Sequence, residues 1–203
     1  MQTSTIKSRR EENADATRDA LLHAGRTLFA QYGYHEVGVE AIARDARVTR
    51  GAFYHHFSDK QALLDALVLQ LHAEAASAVE RAARLETDTW QRIAVGVDAY
   101  IAACAEPAFH RLVLQEAPAV LGAARFREID DLFLNRLMIA PMKALQRAGE
   151  FQCDDVELFC RMLGAMIWEV SALLPGAADP AALRANALRM IVRTLTAFRL
   201  PAP

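Results

Sequence analysis

A dense group of hydrogen-bonding side chains lies near residue 50 of this 203-residue chain. It holds a guanidinium, a phenol hydroxyl and two imidazoles without an intervening carboxylate: Thr49, Arg50, Ala52, Tyr54, His55 and His56. These side chains can bond to phosphate oxygens and to the edges of bases, and none carries a negative charge that a nucleic-acid backbone would repel. The chemistry that this stretch favours is binding to double-stranded DNA.

The residues around this group are patterned as two short helices joined by a tight turn. Residues 39–46 and 49–56 each predict a helix of about two turns, and residues 46–48 form the turn between them. Apolar residues that would pack the pair together are Ile42, Ala43, Val48, Phe53 and Phe57. This spacing is that of a helix-turn-helix unit, in which the second helix lies in the major groove of DNA.

The adjacent His55 and His56 also raise the question of a metal site. Successive residues on a helix point in different directions, so neighbouring imidazoles cannot chelate one ion. No Cys, His or Asp spacing elsewhere in the sequence supports metal binding. We therefore predict no metal and no cofactor.

Residues 48–60 resemble the DNA-binding domain of TetR-family transcriptional regulators. The family pattern begins with Val, which is followed by Ser or Thr, then a basic residue, Gly, a small residue and an apolar residue. Tyr, a variable aromatic residue or His, a further His and Phe come next, and Lys stands three positions after the Phe. It stands here as Val48-Thr49-Arg50-Gly51-Ala52-Phe53-Tyr54-His55-His56-Phe57 and Lys60. The match is ungapped and specific at each position. The second half of the chain resembles the family's C-terminal domains more loosely, at residues 114–122 and 163–166.

The resemblance implies which side chains would touch bases. Arg50 would read a base, most plausibly guanine through O6 and N7, and His55 would make a second base-edge contact. Thr49 would hold a phosphate or a base edge at the N terminus of the recognition helix, where the helix dipole also favours phosphate. Ala52 and His56 lie on the same exposed face.

The resemblance also implies which side chains would hold the backbone. Tyr54 and Lys60 would contact phosphates through their hydroxyl and ammonium groups. Gly51 would let the recognition helix approach its neighbour closely.

Two positions depart from the family pattern. Gly38 stands where the family usually has a Thr or Ser that caps the first motif helix and contacts phosphate, and losing that side chain costs about 1 kcal/mol of binding. Arg47 replaces the usual glycine of the turn. A positive φ at Arg47 would cost on the order of 1 kcal/mol, while its guanidinium would add a phosphate contact. Both residues belong to the predicted DNA-contacting set.

Helical signals run along the whole sequence and set the positions of these residues. An apolar stripe through Leu21, Leu22, Leu28, Phe29 and Tyr32 predicts a first helix over about 15–32, which Gly33 ends. Ser58 to Gln61 reads as a capping box that opens a helix to about residue 84. Further helices are predicted over 88–104, from 107 to about 122, 125–148 with an interruption at Pro141, 154–174 and 180–199.

We therefore predict an all-α fold of about nine helices. A three-helix DNA-binding domain would occupy residues 1–60, and a helical effector-binding and dimerisation domain would occupy residues 61–203. Hydrophobic residues make up 53% of the chain, which is enough for a core without metal or disulfide support. The 23 Lys and Arg nearly balance the 25 Asp and Glu, so any DNA-binding surface must be a local patch.

The same composition predicts a protein of the cytoplasm that does not cross a membrane. The N-terminal residues are polar and lack the apolar stretch of a secretory signal. No apolar run approaches the roughly 18 residues that a membrane span needs. The cysteines, Cys104, Cys153 and Cys160, form an odd and sparse set that indicates reduced thiols.

The predicted helices of the second half contain aromatic, methionine and polar side chains in otherwise apolar surroundings. Such walls are typical of a small-molecule pocket and equally typical of a helical core. The candidates for an effector pocket are Trp90, Tyr100, Phe109, Arg111, Phe126, Phe133, Met138, Trp168 and Glu169. Glu169 is notable because a carboxylate on so apolar a helix needs a partner, which could be an arginine of this chain, a facing subunit or a ligand.

The last two helices, at about 154–174 and 180–199, are unusually apolar. The first of them is apolar around most of its circumference and must be covered on both sides, either inside one domain or between two subunits. We predict a homodimer packed through these helices as a four-helix bundle.

Together these patterns predict a ligand-responsive regulator, most plausibly a repressor that binds a pseudo-palindromic operator as a homodimer and is released by a small-molecule effector. An enzyme is not expected, since the sequence contains no GxSxG, HExxH or phosphate-binding loop motif. The alternative is a helical ligand-binding protein without specific operator binding, which the departures at Gly38 and Arg47 make conceivable.

Overall fold

The computed structural model describes residues 9–200, apart from the side chain of Arg10. This part of the chain folds into nine helices and no strand, which confirms the all-α prediction. Its one extended pairing is an isolated β-bridge between Phe151 and Arg199.

The helices of the first half are regular. They are α1 (Arg9–Tyr32), α2 (Val39–Asp45), α3 (Arg50–His56), α4 (Lys60–Ala83) and α5 (Thr89–Cys104). Helix α1 begins at least six residues before its predicted start, and Tyr32 is 52% exposed, so the prediction that it belongs to the buried stripe was wrong. Positions such as Leu21 and Phe29 are fully buried as predicted.

Two helices of the second half contain π-helical turns. Helix α6 covers 107–121 as Pro107–Phe109, the π segment His110–Glu116 and Ala117–Leu121. Helix α7 covers 123–147 as Ala123–Leu134, the π segment Asn135–Ile139 and Ala140–Arg147. The predicted interruption at Pro141 is therefore a π turn just before the proline, which lets the helix continue although Pro141 has no N–H to donate. Helices α8 (Val156–Leu173) and α9 (Pro180–Thr196) complete the fold.

Side-chain caps fix where most of these helices begin. The caps that accept a backbone N–H are Thr49, Asp59, Asp88, Asp155 and Asp179. The predicted capping box at Ser58 was wrong: Asp59 accepts from the amide of Ala62 at 2.7 Å, and the Ser58 hydroxyl donates to Asp59 instead. An ionised carboxylate at this position gains from the helix dipole, which a serine hydroxyl does not.

Two buried clusters form the interior. The first joins α1–α4 to residues of α6 and α7 such as Leu112, Val113 and Ile129, and the second joins α5, α7, α8 and α9. Helix α4 starts at Lys60, where the predicted domain boundary lies, and the first cluster continues across that boundary. The N-terminal helices thus share a core with the helices that enclose the cavity described below.

Two segments of the described chain, Lys60–Ala83 and Val156–Gly176, are long and apolar enough to cross a membrane by length and composition alone. Core helices of globular proteins pass the same test. Both segments pack against neighbouring helices here, and Leu63, Leu64 and Leu67 of the first are fully buried.

Candidate DNA-binding surface and ligand cavity

Helices α2 and α3 are held at a fixed angle by the turn between them. The amide of Val48 donates to the carbonyl of Ala43 at 2.9 Å, and the amide of Arg47 donates to Arg44 at 3.1 Å. Arg47 has φ of 56°, so this turn does require the left-handed conformation that favours glycine. Phe53 is fully buried under the pair, and α3 consequently presents its opposite face to solvent.

Gly38 caps α2 through its backbone alone. Its carbonyl accepts from the amides of Ala41 and Ile42, and no side-chain cap exists. The backbone is extended, with φ of −92° and ψ of 160°, and a Cβ at Gly38 would meet only Glu40 Oε2, at 3.4 Å. The position would therefore accept the Thr or Ser of the family pattern without strain.

The guanidinium of Arg50 is exposed but not free. Arg50 Nη1 lies 2.8 Å from Glu40 Oε1, and Arg50 Nη2 donates to the Tyr54 hydroxyl at 3.4 Å. Both members of the ion pair are nearly two-thirds exposed, and exposed pairs contribute little free energy. Reading α3 by itself suggested a surface without carboxylates, whereas folding brings Glu40 of α2 beside it.

The other predicted contacts of α3 are exposed or partly exposed. The Thr49 hydroxyl accepts from the Ala52 amide at 3.1 Å. The rings of His55 and His56 are 5.2 Å apart, and burial, assisted by His55 and Arg18, lowers the pKa of His56. His56 is therefore neutral at pH 7 and offers hydrogen bonds rather than charge.

The close-packing role expected of Gly51 is not found. A Cβ at Gly51 would meet only Thr49 Oγ1, at 3.7 Å, so the glycine is not needed for contact between α3 and its neighbours. Gly51 is exposed on the face that carries Arg50. Its missing side chain leaves room on the outside of the helix.

Lys60 holds the protein's own backbone. Its ammonium donates to the carbonyls of Tyr34 at 2.7 Å and Val37 at 3.0 Å, and it lies 4.1 Å from the centroid of the Tyr34 ring. A phosphate contact, as the family pattern implies, would require the ammonium to leave both carbonyls. In this structure Lys60 fixes the α1–α2 loop, residues 33–38, against α4.

The α1–α2 loop is held from its other side by α6. Glu116 accepts from the Tyr34 amide at 2.7 Å, and Arg111 pairs with Glu116 at 3.3 Å while donating to the carbonyls of Ala30 and Gln31. A Cβ at Gly33 would lie 2.6 Å from Arg111 Nη2, and Gly33 also has φ of 91°. Only glycine satisfies both constraints. We call this set, Gly33, Tyr34, Arg111 and Glu116, the interdomain clasp.

A cavity of about 950 Å³ lies between α4, α5, α7 and α8, with α6 closing one end. Seven of the predicted pocket residues line it: Tyr100, Phe109, Phe126, Phe133, Met138, Trp168 and Glu169. The Phe126 and Trp168 rings meet edge to face at 5.4 Å and form part of one wall. The volume is that of sites for drug-sized molecules.

Two predicted pocket residues lie elsewhere. Trp90 packs into the second buried cluster against Phe151, with the guanidinium of Arg199 over its ring at 5.2 Å. Arg111 belongs to the interdomain clasp, because it projects from the side of α6 that faces α1 rather than the cavity. Periodicity placed both residues in the interior region but could not distinguish which side of a helix meets which neighbour.

A buried polar cluster at the α6 end of the cavity contains Tyr100, which was predicted, together with His72 and Cys104, which were not. The Tyr100 hydroxyl lies 3.4 Å from His72 Nδ1, and His72 stacks on Phe133 with centroids 5.0 Å apart. Burial lowers the pKa of His72 to about 4 and raises the pKa of Cys104 to about 12. Burial also raises the pKa of Tyr100. All these groups are uncharged at pH 7. A histidine within the apolar stripe of α4 was the available signal.

Comparison with protein families identifies two matching regions. The family described as bacterial regulatory proteins, tetR family, matches residues 21–67, which contain α2, α3 and the turn between them. The family described as tetracyclin repressor-like, C-terminal domain, matches residues 90–198. The second match covers the helices that line the cavity, except for α4.

Individual proteins are similar over either most of the chain or its N-terminal part. The Transposon Tn10 TetC protein of Escherichia coli is 24% identical, covering 81% of this chain and 83% of its own. The UidR transcriptional regulator of E. coli K12 is 37% identical, over 30% of this chain and 31% of its own. The solved structure of a TetR-family regulator from Pectobacterium atrosepticum is 27% identical, with a TM-score of 0.76, and covers 97% of this chain and 100% of its own.

The burial of neutral His72 predicts a dependence of stability on pH. The unfolded chain binds a proton at its histidine near pH 6.5 and the folded chain only near pH 4, so stability from this residue is complete above about 6.5 and is lost as pH falls towards 4. As pH falls from about 6.5 to 4, we expect the original chain to lose about 3 kcal/mol of unfolding free energy relative to the His72→Phe variant. Urea unfolding at a series of pH values measures it.

The matched control is His35→Gln, because His35 is exposed on the α1–α2 loop. Its pH profile should follow that of the original chain. Parallel profiles for His72→Phe and the original chain would show that His72 titrates normally in the folded protein.

Proposed function

Because this chain belongs to the TetR family of bacterial transcriptional regulators, we propose that it is a repressor that binds a pseudo-palindromic operator as a homodimer and leaves it when a small molecule fills the cavity. The observation that carries the proposal is the solvent-facing side of α3, where Thr49, Arg50 and Tyr54 stand on a helix fixed by the turn at Arg47. The proposal thus includes repression of transcription, a homodimer and a small-molecule effector.

Arg50 would supply sequence recognition. Its guanidinium can form a bidentate pair with guanine O6 and N7 in the major groove. Its pair with Glu40 is exposed, so exchanging the carboxylate for a base edge costs little. Once Arg50 has bound a base, the Glu40 carboxylate would stand unpaired beside α3 and would repel phosphates that come near it.

The other predicted contacts divide by their chemistry. Thr49, Tyr54 and Arg47 would bond to phosphates, and the absence of a side chain at Gly38 would leave its backbone as the only contact there. Gly51 and Ala52 would allow the backbone of α3 to lie close to the bases. His55 and His56 would offer imidazole edges. Lys60 would position the α1–α2 loop and would bind phosphate only after leaving Tyr34 and Val37.

Helix α8 supports the homodimer. Its inner face, which includes Phe159, Leu163 and Ile167, is buried within the chain. A second face is exposed and apolar, with Leu158 at 55% and Met162 at 60%, and Met190 of α9 is 63% exposed. The two apolar faces of α8 account for its unusual composition. A second copy applied to the exposed face would complete a four-helix bundle of the kind that the sequence predicts.

The interdomain clasp provides a route from the cavity to the DNA-binding helices. Phe109, Leu114 and Pro118 of α6 line the cavity, and Arg111 and Glu116 of the same helix hold the end of α1. An effector that pushes α6 outward would therefore move the α1–α2 loop. Only a molecule with different affinities for the two arrangements can shift their populations.

A regulator of this kind acts in the cytoplasm, where the DNA is, and needs no catalytic residue.

Arg50→Ala should weaken binding to the specific operator by about 1–3 kcal/mol and leave binding to random-sequence DNA nearly unchanged, because only the base contact is lost. Fluorescence anisotropy with DNA from immediately upstream of the protein's own gene, at two salt concentrations, measures both affinities. Glu40→Gln is the matched control, which removes the competing carboxylate and should bind at least as tightly as the original chain. Equal affinities of the original chain for both DNAs would contradict specific recognition.

Met162→Lys should convert a dimer into a monomer, because it places two charges in the proposed apolar interface, one from each copy. Sedimentation velocity gives the mass in solution. Leu132→Lys is the matched control, since Leu132 is 63% exposed on α7 and lies outside that face. A dimer that survives Met162→Lys, or an original chain that is monomeric, would exclude this interface.

Glu116→Ala should release the α1–α2 loop from α6, because the Tyr34 amide loses its acceptor. We expect faster amide hydrogen exchange over residues 33–38 and an operator affinity lower by about 1–3 kcal/mol. Glu128→Ala, which removes an exposed ion pair with Arg125 on α7, is the control and should change neither. Unchanged exchange at residues 33–38 in Glu116→Ala would show that the clasp does not hold the loop.

A further inference from the structure

The charged side chains that line the cavity leave a positive surplus at one of its ends. At the end formed by the α4–α5 turn the lining contains Arg84, Arg92 and Arg136 against one carboxylate, Glu80. Glu80 is already paired with Arg136. Arg84 and Arg92 are exposed, and neither forms an ion pair with a carboxylate of the described residues. This end, which we call the arginine mouth, therefore has a surplus of positive charge.

The neighbouring carboxylates of the same turn lie outside the cavity lining. Asp88 is occupied as the cap of α5, where it accepts from the Gln91 amide at 2.8 Å. Glu86 lies in the turn but outside the cavity lining.

The opposite side of the cavity has no such surplus. Arg161 pairs with Asp131 at 2.6 Å, and Asp130 and Glu169 also line the cavity. The one further cation of that wall is Arg127. An anion placed there would face at least as many carboxylates as guanidinium groups, so this wall does not favour negative charge.

Between the arginine mouth and α6 the cavity is apolar and uncharged. Val79, Ile93, Val97 and Leu134 line its length, and the aromatic rings of Phe109 and Phe133 close it around His72. His72, Tyr100 and Cys104 are neutral because burial opposes their charged forms. Burying an ion among them would carry a large desolvation cost.

The cavity is also elongated. It is bordered by α4 from His72 to Arg84, a span of about 18 Å at roughly 1.5 Å per residue. Helix α5 borders it over a similar length, from Cys104 back to Thr89. A compact ligand would leave one end unfilled.

We propose that the cavity takes an elongated amphipathic anion, whose apolar body lies between α4, α5 and α7 and whose carboxylate or phosphate lies at the arginine mouth between Arg84 and Arg92. This assignment rests on the proposed role of the cavity as the effector site, and it names the chemical class of the effector. The guanidinium groups supply charge-assisted hydrogen bonds to the acidic end. The walls accept an alkyl or aryl body without a specific polar partner.

Calorimetric titration of the full chain without DNA tests the proposal, with four probes that share a ten-carbon chain: decanoate, decyl phosphate, decanol and decyltrimethylammonium. Decanol is used below its solubility limit and the other three below their micelle concentrations. We expect either anion to bind at least roughly tenfold more tightly than decanol, and the cation to bind least. The two anions distinguish a carboxylate headgroup from a phosphate. A change in tryptophan fluorescence that is lost in Trp168→Phe, in which Trp90 remains, places the bound chain in the cavity that Trp168 lines.

The double variant Arg84→Gln, Arg92→Gln should bind decanoate and decanol equally while keeping the affinity of the original chain for decanol. Arg81→Gln is the matched control, because Arg81 is exposed on the last turn of α4 and does not line the cavity. It should keep the preference for anions. A preference that survives in the double variant, a preference for decanol or for the cation, or binding of no probe would overturn the proposal.

Fluorescence anisotropy of the operator complex, measured with and without decanoate, distinguishes the failure of this inference from the failure of the proposed function. Arginine-dependent binding of decanoate without release of operator DNA would support the ligand class and contradict effector-controlled release. Specific operator binding by a chain that shows no preference for anions would contradict the ligand class and leave the regulator intact.

Discussion

The hydrogen bond from the Tyr34 amide to the Glu116 carboxylate ties the loop that leads into the DNA-binding helices to α6, which lines the cavity. The carboxylate is held by Arg111, which also donates to the last carbonyls of α1, and Lys60 holds the same loop from α4. Three helices thus converge on residues 33–38. Because the loop leads directly into α2, any shift of α6 relative to α4 must be transmitted to α3 or break one of these bonds.

The cavity and the recognition helix depend on the same kind of electrostatic arrangement. In both places an arginine stands at an exposed edge, above a buried apolar support. Arg50 is paired with Glu40, a carboxylate of a neighbouring helix, which a base would replace under the proposed function. Arg84 and Arg92 have no such partner among the described residues and so favour an anion from solution. The difference lies in which carboxylates the fold brings within reach, not in the arginines.

Local patterns in the sequence predicted much of the fold and part of the site. The helix starts predicted near residues 49, 88 and 180 depend on caps that act within a few residues, and the structure shows these caps as Thr49, Asp88 and Asp179. Seven of the nine predicted pocket residues line the cavity, and five of these seven are aromatic side chains within apolar helices. Trp90 and Arg111 were misplaced because periodicity gives the buried face of a helix but not the neighbour that buries it.

The sequence by itself determined that the chain is helical, that a helix-turn-helix unit lies near residue 50 and that the second half resembles an effector domain. These conclusions follow from short-range hydrogen bonding, from amphipathic periodicity and from a position-specific motif. Only the tertiary structure decided that Lys60 binds the chain's own carbonyls, that Glu40 reaches Arg50 and that the cavity has one cationic end. Each of these joins residues of different helices, and the relative placement of helices is set by packing of the whole core, which no local pattern encodes.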